Sequence, residues 1–163
     1  MNPIVSIIMG STSDMPIMEK AAKFFDEMEI PFELVALSAH RTPAAVEEFA
    51  HTAKERGIKV IIAGAGMAAA LPGCIAALTR KPVIELPLSS KYCLEDSILA
   101  MLQMPPGVPV LTVGVDAAKN AAVAACQILA LSDHELDTKL TKQSAVMASK
   151  VISADAAIRE KYS

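Results

Sequence analysis

A chain of 163 residues with 15 Lys and Arg against 18 Asp and Glu has a formal charge of −3, the wrong sign for a binder of phosphate backbones. A hydrophobic content of 53% against 20% charged residues excludes disorder, because such a chain buries enough apolar surface to offset the entropy of ordering. With no Trp, two Tyr and four Phe it lacks an aromatic platform for stacking bases, so the expected partner is a small molecule and not a nucleic acid.

Short apolar runs alternate with helical patterns along most of the chain. Ile4 to Met9 is β-rich and ends at Gly10. Asp14 is placed to cap a helix whose Met18, Ala21, Ala22, Phe25 and Met28 recur at helical spacing. The second run, Phe32 to Leu37, ends at Ser38. Thr42-Pro43 then offers an N-cap and a first-turn proline for a helix striped by Val46, Phe49, Ala50 and Ala53 and stopped by Gly57. Lys59 to Ala63 is the third run, followed by GAGMAAALPG (64–73) and a short helix through Leu78. Pro82 to Leu86 is the fourth, with a helix around Glu95–Gln103 after it. Val108 to Val115, entered through the rigid MPPGVP turn (104–109), is the fifth. The Ala-rich stretch 116–131 is apolar on nearly every side and is expected to be buried all round.

Five strands alternating with helices predict right-handed crossovers and an α/β fold: a flavodoxin-like three-layer sandwich on a parallel sheet of order 2-1-3-4-5. No linker or internal repeat interrupts it, so residues 1–163 form one domain, with a doubly wound core (1–131) and a C-terminal helical arm (132–163). In the arm, Ser132-x-x-Glu135 matches a capping box. Leu136, Leu140, Met147, Val151 and Ile158, spaced 4, 7, 4 and 7, define one seam, which either packs on its own domain or crosses a subunit interface.

Cys74, Cys93 and Cys126 form no CxxC pair, and their odd number argues against a disulfide framework. His40, His51 and His134 are too far apart for zinc-like spacing. The N-terminus lacks the basic region of a signal peptide, and no apolar run reaches the ~18 residues needed to span a bilayer. A cytoplasmic protein without a membrane partner is the expectation.

In an open parallel sheet, ligands bind beyond the carboxyl ends of the strands, where strand order reverses. The loops there are GSTSD (10–14), SAHRTP (38–43) and GAGMAAALPG (64–73). In the first, Gly10 permits close backbone approach, Ser11 and Ser13 offer hydroxyls, and Asp14 caps the helix or accepts from a sugar hydroxyl; a plain capping turn would read the same way. In the second, Arg41 suits bidentate contact to phosphate or carboxylate, and His40 can give and take a proton. In the third, small residues bring backbone N–H groups to a ligand but supply no acid or base; close helix–strand packing is the alternative. Ser89, Ser90, Lys91 and Asp96 lie on the loop after strand 4, near enough by topology to join the site. Cys93 reads as a buried small residue, and His51 and His134 as solvated helix residues.

GSTSD, SAHRTP, AGAG…LPG and QMPPGVPV (103–110), in this order, resemble the PurE family of purine biosynthesis, over roughly residues 3–155. The family comprises N5-carboxyaminoimidazole ribonucleotide mutases (class I) and aminoimidazole ribonucleotide carboxylases (class II). The resemblance implies a homo-octamer with sites built from neighbouring subunits, no metal and no organic cofactor. It implies ribonucleotide contacts at Ser11, Asp14, Ser38 and Arg41, and a proton shuttle to C4 of the imidazole at His40. With the loops that surround them, the candidate binding residues are Ser11, Ser13, Asp14, Ser38, Ala39, Arg41, Gly64, Ala65, Ala70 and Leu71; the catalytic candidate is His40. The chain departs from the class I wording GGAAHLPG by placing Met67 at a glycine position and Ala70 at a histidine position. Class II members also lack that histidine but read SAHKT and GRSN. The implied activity is therefore the mutase reaction, with direct carboxylation by CO₂ or a paralogous nucleotide substrate as alternatives, and a non-catalytic nucleotide- or flavin-binding module as the contrasting class.

Overall fold

The computed structural model describes residues 2–90 and 94–162. Five parallel strands, β1 (Val5–Met9), β2 (Phe32–Ala36), β3 (Val60–Ala65), β4 (Val83–Pro87) and β5 (Leu111–Thr112), form one sheet in the order β2-β1-β3-β4-β5. Between and after them run α1 (Met15–Met28), α2 (Pro43–Thr52), α3 (Ala70–Leu78), α4 (Leu94–Leu102), α5 (Ala118–Ala130) and α6 (His134–Tyr162). The expected flavodoxin-like α/β sandwich and its strand order are both observed.

Every residue of β1, β3 and β4 is buried, as continuous β-branched runs require when helices cover both sheet faces. On one face Val46, Phe49 and Ala50 of α2 and Leu71 and Ile75 of α3 pack in a cluster with Ile8, Ile61, Ala63 and Val83. On the other lie Met18, Phe24 and Phe25 of α1, fully or almost fully buried. Each such side chain stabilises the fold by about 1.5–3 kcal/mol. Ser6, buried within β1, donates to Glu33 Oε1 at 2.8 Å, and Arg56 Nη1 donates to the same oxygen at 2.5 Å. The Arg56 guanidinium also lies 5.0 Å from the centre of the Phe49 ring, tying the end of α2 to the β2 edge.

Several local expectations are corrected. β5 keeps only two residues of the Val108–Val115 run: Pro109 has no N–H to give a ladder, and the chain turns at Gly114, whose carbonyl accepts from the Ala117 N–H; on this edge strand Leu111 is half exposed. α5 is not buried all round: Ala118, Ala121, Ala122 and Ala125 are buried, whereas Lys119, Asn120 and Gln127 are exposed. Ser132 does not cap the arm. Asp133 does, accepting from the Leu136 N–H at 3.0 Å, while the Ser132 hydroxyl donates back to Leu129 O at 3.4 Å.

The chain divides into two compact units, one ending at Ala125 and the other starting at Cys126. The first holds the sheet and α1 to α4. The second is dominated by the 29-residue α6, on which Leu136 is buried while Met147, Val151 and Ile158 are exposed at 45%, 70% and 59%. Burial pushes the Cys126 thiol up to about 12, whereas Cys74 is exposed. Cys93 and Lys91 lie outside the described residues. Among the described residues no helix is long and apolar enough to cross a membrane.

Candidate functional site

The carboxyl ends of β1 to β4 open into a cleft of about 690 Å³, a size that suits a small molecule. Its four walls are Gly10, Ser11, Ser13 and Asp14 after β1; Ser38 to Arg41 after β2; Ala65 to Leu71 at and beyond the end of β3; and Leu88 to Ser90 after β4. The topology thus brings together His40, Ser11, Ser13, Asp14, Ser38, Ala39, Arg41, Ala65, Ala70 and Leu71. Gly64 is the exception. It lies within β3, and a Cβ there would meet the Met18 Sδ at 2.5 Å, so its missing side chain makes room for the α1 core, not for a ligand.

The first wall is a single 3₁₀ turn, Thr12–Asp14, that runs straight into α1. Ser11 starts it, accepting from the Ser13 N–H at 3.3 Å and the Ser13 hydroxyl at 2.9 Å. Asp14 already has helical dihedrals and makes no capping bond, contrary to one of its two expected roles. Its carboxylate instead accepts weakly from Ser13 Oγ at 3.4 Å and lines the cleft. Burial pushes that carboxyl up from its ordinary value, opposed by the hydrogen bonds from the Ser13 hydroxyl and within the Ser11 turn.

The second wall closes on itself. Thr42 N–H donates to Ser38 O at 2.8 Å, Ser38 N–H donates to Thr42 Oγ1 at 2.9 Å, and Thr42 Oγ1 donates to Ser38 O at 3.1 Å. Thr42 therefore braces its loop and does not cap α2 with its side chain. Arg41 N–H donates to Ser38 Oγ at 3.2 Å, which leaves the exposed His40 and Arg41 side chains as the outward features of a fixed loop. Among the described residues no protein group engages either side chain, so both are available to a ligand.

The third wall is backbone. Met67 (φ 54°) and Ala69 (φ 46°) stand in the left-handed region, at about 1–2 kcal/mol each. Ala69 N–H donates to Gly66 O at 3.0 Å, and α3 then begins at Ala70 with no side-chain cap, so its first N–H groups remain unpaired at the cleft. A Cβ on Gly66 would lie 3.1 Å from Leu88 O; glycine here lets the third and fourth walls touch through backbone. The fourth wall holds the expected Ser89 and Ser90, but Asp96 lies exposed on α4 and does not line the cleft. Sequence reasoning missed Leu88 and, more importantly, Asp116. Asp116 (φ 54°) donates its N–H to Pro87 O at 2.8 Å, and its Oδ1 accepts from the Ser89 N–H at 3.0 Å. A lone Asp 27 residues from its partner carries no local signal.

Among the described residues the cleft thus offers one permanent cation, one imidazole, five serine hydroxyls and a carboxylate, with a third wall that holds no acid or base. Such a set suits an anionic, hydroxyl-bearing ligand that needs a proton moved at one place. His51 and His134 are exposed on α2 and α6 and take no part in it.

The family model described as AIR carboxylase matches residues 4–150. The chain is 55% identical over 141 residues to an N5-carboxyaminoimidazole ribonucleotide mutase of Pyrococcus abyssi, covering 86% of this chain and 81% of that protein. It is 52% identical over 146 residues to the protein of the same name from Bacillus subtilis, covering 88% and 90%. The crystal structure of Treponema denticola PurE superimposes with a TM-score of 0.84 at 31% identity, over 94% of this chain and 97% of that one. With its cleft loops in the expected order and its whole sheet inside the matched region, the chain belongs to the AIR carboxylase family.

Proposed function

We propose that the protein converts N5-carboxyaminoimidazole ribonucleotide into 4-carboxyaminoimidazole ribonucleotide, as an isomerase of purine biosynthesis. The observation that carries this reading is the fixed SAHRTP loop, which leaves His40 and Arg41 unpaired side by side on the cleft wall. The relatives named above support the choice of reaction.

In this reading Arg41 and Ser38 hold the phosphate end of the ribonucleotide, and Ser11, Ser13 and Asp14 meet its sugar. The N5-carboxylate leaves as CO₂ when the carbon–nitrogen bond breaks, and His40 protonates the departing amine nitrogen. The electron-rich C4 then attacks the CO₂ carbon, and His40 takes up the C4 proton, so the reaction is balanced without a co-reactant. Ala65, Ala70 and Leu71 form the close apolar surround in which a neutral CO₂ stays near C4.

The same reading makes the protein a cytoplasmic homo-octamer whose chain has a core of residues 1–131 and a helical arm of residues 132–163. The exposed apolar residues of α6 support an assembled state.

An ultraviolet product assay without ATP tests the reaction. Rapid formation of the 4-carboxy product from N5-carboxyaminoimidazole ribonucleotide alone is the expected result. Turnover only with aminoimidazole ribonucleotide and bicarbonate would make the protein a carboxylase, and no turnover with either would remove the purine assignment.

A further inference from the structure

Met67 is the only long exposed side chain on the third wall, and nothing within its own chain covers it. Its backbone stands at φ 54°, which favours glycine, and the residue is 60% exposed at the cleft. The turn cannot carry it elsewhere. Gly66 is pressed against Leu88 O on one side, and Ala69 N–H donates back to Gly66 O on the other. An apolar side chain held strained and exposed gains nothing from its own chain. It gains once a ligand fills the cleft, because the same surface is then withdrawn from water.

We propose that Met67 closes the cleft over the bound ribonucleotide and retains released CO₂ there, an inference that rests on the reaction proposed above. Between the breaking of the carbon–nitrogen bond and the attack by C4, CO₂ is neutral and bonded to nothing. Its retention is a matter of steric cover. If it escapes, the amine nitrogen keeps the proton it received and the products are aminoimidazole ribonucleotide and free CO₂. The ratio of this decarboxylated product to the 4-carboxy product therefore reads the quality of the cover, independently of how fast the site turns over.

The test compares the native protein with M67G and M67L, using N5-carboxyaminoimidazole ribonucleotide and subtracting its enzyme-free decomposition. Glycine suits the backbone at this position, so M67G is expected to fold at least as stably as the native chain, which a thermal melt checks. The share of decarboxylated product should rise about fivefold in M67G, as expected from losing the cover of one apolar side chain. M67L, which keeps apolar bulk, should stay near the native ratio. A native ratio in M67G overturns the proposal, as does an M67L variant that leaks as much as M67G. Absence of 4-carboxy product from the native protein would overturn the reaction assignment itself, and that result is visible before any variant is compared.

Discussion

Glu85 lies fully buried in the middle of β4, on the sheet face that Val83 shares with α2 and α3. Its Oε2 accepts from Thr112 Oγ1 at 3.1 Å, and its Oε1 has no partner among the described residues. Burial pushes this carboxyl up from 4.5 to about 7, with the Thr112 bond opposing the shift only in part. A folded value above the unfolded one means that the contribution of the neutral acid is complete below about pH 4.5 and is lost as pH rises through about 7. Glu85→Gln keeps the shape and cannot ionise. The native protein should therefore lose stability relative to E85Q across that interval, by on the order of 3 kcal/mol in total. Parallel denaturant midpoints for the two proteins at every pH would refute this. His40 is the opposite kind of residue, exposed and unpaired on a rigid loop. His40→Asn should lower kcat by roughly 10²–10⁴-fold while the KM for the ribonucleotide changes little, because only the proton transfer is lost. A large change in KM with kcat intact would mean that His40 binds and does not catalyse.

At the scale of elements, the fourth wall depends on a residue that does not line the cleft. Asp116 clamps the end of β4 through two bonds, one from its backbone and one to its carboxylate. Asp116→Gly keeps the left-handed backbone and deletes the acceptor; Asp116→Asn keeps both. D116G should raise KM up to about tenfold, the worth of one exposed hydrogen bond, and should speed hydrogen exchange at the Ser89 amide. D116N should stay near native on both counts, and a D116G variant with unchanged KM and exchange would sink the idea. Such a clamp marks the limit of sequence reading. The strand runs, the helix stripes and the three loops were legible because each is written in consecutive residues with a period of its own. The walls of the cleft followed from strand order alone. What stayed hidden depends on partners far apart in the chain or on local competition. Met18 filling the space at Gly64 couples positions in different elements, and the choice of Asp133 over Ser132 as cap turns on a single residue of register. β5 is shorter than its apolar run suggests because such a run shows hydrophobicity, not the ladder bond that Pro109 forgoes.

For the whole molecule, the exposed seam on α6 is the feature that a lone chain explains least. Met147, Val151 and Ile158 share one stripe, and Tyr162, 76% exposed, extends it by one more turn. Under the assembly proposed above, replacing Val151 and Ile158 with Glu should shift the sedimentation coefficient toward smaller species with the far-ultraviolet circular dichroism unchanged. An unaltered sedimentation profile would place the subunit contacts elsewhere. The parallel sheet has a different consequence. Three of the four walls hang from the ends of strands whose own side chains are buried, and Met67, one position where this chain departs from the class I wording, stands exposed beyond the end of β3. Substitutions there are insulated from the interior, and their stability effects should add to those of core changes with little coupling. Selection can then revise what the cleft does one loop residue at a time, without renegotiating how the chain folds.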